Sequence, residues 1–61
     1  MKVSQLTRKL SRAGCFVKRH GGDHDVWYSP ITGKTDAVSR HDSEEVKKGT
    51  LRRILKNLLG Q

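Results

Sequence analysis

Three histidines and a large excess of basic side chains are the groups in this sequence best suited to chemistry. His20, His24 and His41 carry imidazoles that exchange protons near neutral pH. Thirteen Lys and Arg against six Asp and Glu give a formal charge of +7. Cleavage of RNA without a metal needs a base for the 2′-hydroxyl, an acid for the departing 5′-oxygen and positive charge at the phosphate. The chain contains all of these side-chain types.

Charge and cysteine content restrict the partners and the compartment. A field of this sign attracts polyanions over about 10 Å, so we expect nucleic acid or an acidic protein as the partner. Cys15 is the one cysteine, which excludes an internal disulfide and favours the cytoplasm. The spacing from His20 to His24 lacks the second ligand pair of a zinc site, so no metal and no cofactor is expected. No apolar run approaches the roughly 20 residues that span a bilayer.

Helical spacing marks the two ends of the chain. Leu6 and Leu10 predict a first amphipathic helix over about residues 4–13, with Ser4 as its N-cap and Gly14 as the left-handed residue that ends it. A second helix is predicted from Gly49 onward, ending at Gly60. Its apolar stripe consists of Leu51, Ile54, Leu55, Leu58 and Leu59.

Between these helices the sequence predicts three strands. Residues 15–20 and 24–28 favour strands joined by a turn at 21–23, and residues 34–38 favour a third. Residues 40–46 are polar and carry no clear pattern. The predicted fold is α+β in the order α-β-β-β-α, one domain over residues 1–61, with two helices on one face of a three-stranded antiparallel sheet. The other sheet face and the turn at 21–23 then stay open to ligands.

Several short motifs occur in an order that is more specific than any one of them. The motifs are Leu6 to Leu10, Gly14-Cys15-Phe16, Gly22-Asp23-His24, Arg40-His41 and Lys48-Gly49-Thr50-Leu51-Arg52. In this order the sequence resembles the bacterial HicA toxins over almost its whole length. Two positions depart from the family pattern: Asp23 stands where Ser is usual, and Ser39 where Pro is usual.

The resemblance implies a fold, an activity and a partner. The fold would be like that of double-stranded-RNA-binding domains, the activity would be endonucleolytic cleavage of messenger RNA, and a cognate HicB-type antitoxin would cover the active surface. His24 matches the family's catalytic position, which predicts a general acid/base there. Without the resemblance, His24 is more simply a surface histidine in a turn.

The other two histidines are not included in the predicted catalytic set. His20 could lie across the turn from His24, close enough for a second proton transfer. His41 could donate a structural hydrogen bond to a loop carbonyl.

Basic residues at the start of the second helix suggest a phosphate-binding site. Free amides at a helix start, together with two ammonium groups, attract phosphate, although adjacent lysines are by default solvated charge. The predicted RNA contacts are Lys47, Lys48, Gly49 and Thr50, with Arg52 and Arg40 as further contacts.

The strands hold two further candidates for RNA contact. Strand alternation places one residue of the pair Lys18-Arg19 on the exposed face. It also turns one of Trp27 and Tyr28 outward, where a ring could stack a base, though packing is the simpler use of both.

These residues support three hypotheses. The first is an endoribonuclease toxin. The second is a small RNA-binding module without catalysis, which would bind RNA in a salt-sensitive way and leave it intact. The third is an interaction protein whose basic surface serves an acidic partner and ignores nucleic acid at physiological salt.

Overall fold

The computed structural model describes residues 1–61, which form two helices and a three-stranded sheet. The strands form one antiparallel sheet, in which their spatial order follows their order along the chain. The predicted α+β order is therefore confirmed, with ends that differ by about one residue. Neither helix has the length and the apolar character of a membrane-spanning segment. The elements are α1 (Val3–Arg12), β1 (Phe16–His20), β2 (His24–Tyr28), β3 (Thr35–Ser39) and α2 (Lys48–Leu59).

Both helices pack on the same face of the sheet. Trp27 and Val38 turn their side chains toward the helices, and α1 and α2 cover them with leucine, isoleucine and valine. The opposite face carries no helix, as the sequence predicted. The buried apolar core consists of Val3, Leu6, Leu10, Cys15, Trp27, Val38, Ile54 and Leu58.

The start of α1 is capped by a distant loop. The helix begins at Val3, so the prediction of Ser4 as its N-cap is wrong. The backbone amide of Val3 donates to the carbonyl of Glu44 at 2.9 Å. The amide of Ser4 donates to the carbonyl of Asp42 at 3.1 Å. Because residues 40–46 supply these acceptors, the amides of the first turn need no hydroxyl cap.

The C-terminal end of α2 is fixed by the turn between β2 and β3. Ser29 is fully buried, and its hydroxyl donates to the carbonyl of Leu58 while accepting the amide of Ile31 at 3.2 Å. The hydroxyl of Thr32 donates to the carbonyl of Asn57. Carbonyls in the last turn of a helix lack intrahelical donors, so these two hydroxyls stabilise the end of α2.

Two glycines end the helices as the sequence predicted. Gly14 has φ +98° just after α1, and Gly60 has φ +72° just after α2. A side chain at either position would be strained because L-residues rarely adopt this conformation.

Candidate functional site

His24 opens onto a groove along the outer edge of the sheet. It is the first residue of β2, it is exposed, and it lines a groove of about 340 Å³ beside the edge strand β3. The start of α2 forms the other wall through Lys47, Thr50 and Arg53. The structure therefore brings His24 together with two of the predicted phosphate contacts, Lys47 and Thr50.

The turn before His24 leaves no space for a side chain at one position. The amide of Gly21 donates to the carbonyl oxygen of His24 at 3.0 Å. A Cβ atom on Gly21 would lie 2.5 Å from that same oxygen, whereas a Cβ on Gly22 would meet nothing within 4 Å. Gly21 is thus the glycine that the position of His24 requires.

Arg40 holds this turn from the end of β3. Its Nη1 donates to the carbonyls of Gly21 at 2.9 Å and Gly22 at 3.0 Å. Its Nε lies 3.5 Å from Oδ1 of Asp25. Arg40 does not line the His24 groove, and its guanidinium is engaged in the turn. The structure therefore gives Arg40 a positioning task, and its contact with RNA stays a prediction.

The other two histidines lie apart from His24. Nδ1 of His20 is 3.0 Å from Oδ1 of Asp25, the carboxylate that also pairs with Arg40. His20 and Asp25 are register partners, so their side chains share the sheet face opposite to that of His24. His41 is exposed and its imidazole makes no hydrogen bond, so the expected bond to a loop carbonyl is not found.

The first turn of α2 has no side-chain cap. Lys47 occupies the N-cap position with extended backbone, and the first intrahelical bond runs from the amide of Leu51 to the carbonyl of Lys47 at 2.8 Å. The amides of Lys48, Gly49 and Thr50 therefore have no intrahelical acceptor. A Cβ on Gly49 would meet nothing within 4 Å. Lys48, Gly49 and Arg52 are exposed outside the lining of the groove.

Two of the charged side chains that line the groove are engaged in ion pairs. Arg53 donates through Nε to Oδ2 of Asp36 at 3.1 Å. The N-terminal ammonium donates a hydrogen bond to Glu45 and, with Lys2 close by, holds the pKa of that carboxyl below its ordinary value of 4.5. Two other lining residues, Lys47 and Glu44, form no ion pair with each other or with any other residue. His24, Lys47 and Glu44 thus line the groove without taking part in an ion pair.

Comparison with known proteins decides the family. A family model described as the HicA toxin of bacterial toxin-antitoxin matches residues 3–58. The chain belongs to the HicA toxin family. As a HicA-family chain it is a toxin of a toxin–antitoxin system, which implies an antitoxin partner. No curated protein and no solved structure matches it.

Sequence reasoning missed two residues of this candidate site. Arg53 follows Thr50 by three positions on a helix, and that spacing alone indicates a shared face. Gly21 gave no comparable signal, because its contact with the carbonyl of His24 depends on the geometry of the turn. No group of three His, Cys, Asp or Glu side chains converges on one point.

Proposed function

We propose that this HicA-family toxin is an endoribonuclease that cleaves messenger RNA in the cytoplasm without a metal, so inhibiting translation and growth. His24 acts as the general acid/base, and a cognate HicB-type antitoxin neutralises the protein. One observation carries the proposal: His24 is exposed in the same groove as Lys47 and Thr50 at the uncapped start of α2. A residue capable of proton transfer and a phosphate-binding element thus line one groove at the edge of β3.

The phosphate would bind at the start of α2. Amides at a helix N-terminus point toward an anion, and the helix dipole favours negative charge there. The ammonium groups of Lys47 and Lys48 add positive charge, and the bare Cα of Gly49 allows close approach. Arg52 and Arg40 would act as outer contacts to neighbouring phosphates.

His24 would then transfer the protons of the reaction. Its imidazole accepts the proton of the 2′-hydroxyl, whose oxygen attacks phosphorus while the bond to the 5′-oxygen breaks. The imidazolium of His24 then returns this proton to the departing 5′-oxygen, leaving a 2′,3′-cyclic phosphate and a 5′-hydroxyl. Lys47 and the amides of α2 stabilise the charge on the phosphorane oxygens.

The decisive experiment incubates a labelled single-stranded RNA with purified protein in EDTA and, in parallel, in Mg²⁺ without EDTA. Wild type and His24→Ala are compared with His41→Ala. This variant is a matched control because His41 is exposed, its imidazole makes no hydrogen bond, and it lies outside the groove. His20→Ala tests the rival imidazole that Asp25 orients. We expect cleavage by wild type and by the His41 and His20 variants, and RNA binding without cleavage by His24→Ala.

The other results of this experiment have definite meanings. Undiminished cleavage by His24→Ala removes His24 as the catalyst. Loss of cleavage in His20→Ala alone moves the chemistry to the pair of His20 and Asp25. Binding without cleavage by every protein supports the non-catalytic RNA-binding module, and cleavage that stops only in EDTA refutes the metal-independent mechanism.

A further inference from the structure

The sheet face turned away from the helices carries an exposed aromatic pair. Register partners share a face, so Phe16 lies beside Tyr28, and their ring centroids are 5.5 Å apart. Phe16 is 53% exposed although it is a large apolar residue. Alternation along β2 places Val26 and His24 on the same face as Tyr28. The aromatic pair and the candidate catalytic histidine therefore share the open face of the sheet.

A β-bulge adds two cations to this face. The register between β1 and β2 shifts between Val17 and Arg19, which leaves Lys18 as the extra residue. Nζ of Lys18 lies 5.9 Å from the centre of the Tyr28 ring. Lys18 and Arg19 together line a shallow groove of about 330 Å³ beside Val26. Strand alternation predicted that only one of Lys18 and Arg19 would lie on the exposed face. That prediction is wrong because the bulge turns both side chains to this face.

The strands place no carboxylate on this face. Asp25 is the register partner of Val38, and Asp36 is the register partner of Trp27. Val38 and Trp27 belong to the core beneath the helices, so both carboxylates lie on the helix side. The open face is therefore aromatic and basic, which complements a ligand that has flat rings and negative charge.

We propose that this face binds single-stranded RNA, with one base stacked on Phe16 and the adjoining phosphates on Lys18 and Arg19. Proteins that bind single strands combine aromatic platforms with cations in this way, whereas the bases of a duplex are already stacked on each other. The inference deepens the proposed function because β2 leads from this subsite to His24. From Tyr28 to His24 the strand covers about 13 Å, so the stacked base lies a few nucleotides from the phosphate that is cut.

An acidic protein is the rival occupant, and the face favours RNA over it. The cations Lys18 and Arg19 interrupt the apolar surface around Phe16, so it offers no continuous hydrophobic centre for a protein interface. A nucleotide needs one ring and nearby cations, and both are present here.

The test measures binding of a short, fluorescein-labelled 2′-O-methyl RNA, which lacks the attacking hydroxyl and stays intact. We expect Phe16→Ala to weaken binding about tenfold and Phe16→Trp to retain it. Ile31→Ala is the matched control, because Ile31 is 57% exposed but lies in the turn between β2 and β3. It should leave the affinity unchanged.

Abasic substitution along the same RNA locates the stacked base. Removing one particular base should weaken binding to wild type and have no further effect on Phe16→Ala, since the two changes remove the same contact. Equal loss for both proteins at every abasic position would refute the subsite. Unchanged RNA affinity in Phe16→Ala would refute it as well, and weakened binding of the antitoxin in that variant would then assign the face to protein.

These outcomes are separate from those of the proposed function. If wild type cleaves RNA and Phe16→Ala binds RNA with unchanged affinity, the endoribonuclease proposal is supported and the Phe16 subsite is refuted. If RNA binding depends on Phe16 but wild type does not cleave RNA, the subsite is supported and the catalytic proposal is refuted. Absence of any RNA binding refutes both.

Discussion

Replacing Gly21 with alanine should move His24 without touching its side chain. The alanine Cβ would lie 2.5 Å from the His24 carbonyl oxygen, and real Cβ atoms stay at least 3.0 Å from such an atom. The backbone at one of the two positions must therefore shift by about 0.5 Å or more. The same shift strains the hydrogen bond of 3.0 Å between the amide of Gly21 and that oxygen.

The expected size of the effect follows from these contacts. Loss of the hydrogen bond costs about 1 kcal/mol and steric crowding about 1–3 kcal/mol. Reduced freedom of the unfolded chain returns about 0.4–1 kcal/mol. We therefore expect Gly21→Ala to lower the free energy of unfolding by about 1–4 kcal/mol. A displacement approaching 1 Å at a catalytic group lowers the rate by about 100-fold, so RNA cleavage should fall between about tenfold and 100-fold.

The adjacent glycine supplies the control for this prediction. A Cβ on Gly22 meets nothing within 4 Å, so Gly22→Ala should be neutral or stabilise by up to about 1 kcal/mol. Urea unfolding followed by the fluorescence of Trp27 gives the stability, and cleavage rates are measured where both variants are folded. Equal stability and equal cleavage rates for Gly21→Ala and Gly22→Ala would refute the steric argument.

Two further predictions concern the opposite ends of α2. Ser29→Ala should lower the free energy of unfolding by about 1–3 kcal/mol, because the carbonyl of Leu58 loses its hydroxyl donor and keeps only the weaker thiol donor of Cys15 at 3.7 Å. The exposed Ser43→Ala is its control in the same urea titration, and equal midpoints would contradict the role of Ser29. Lys48→Ala should weaken RNA binding similarly for all sequences and reduce the salt slope by about one. An unchanged slope in fluorescence anisotropy would remove Lys48 from the phosphate site.

Local patterns were sufficient to predict the elements of this fold. The leucine spacing of α2 and the glycines after each helix depend on neighbouring residues, so the sequence contains their signals directly. The strands were predicted within one residue for the same reason. The start of α1 was missed because its amides bind the carbonyls of Glu44 and Asp42, about 40 positions away along the chain.

The candidate site was only partly predictable. His24, Lys47 and Thr50 could be named from their types and from the family resemblance, and the structure brings them into one groove. The clamp of Arg40 on the turn depends on the register between β2 and β3, which the sequence pattern does not specify. The bulge that turns both Lys18 and Arg19 to the open face likewise has no single-residue signal.

The unequal capping of α2 affects how the protein fluctuates. Its last turn is tied down by Ser29 and Thr32, whereas its first turn has no side-chain cap. Local opening starts where few bonds must break, so among the hydrogen-bonded amides of α2 exchange should begin at Leu51 and reach the last turn only on global unfolding. The N-terminal end of the helix can therefore melt and re-form while the core stays packed. A ligand that binds there would stabilise the first turn and slow this exchange.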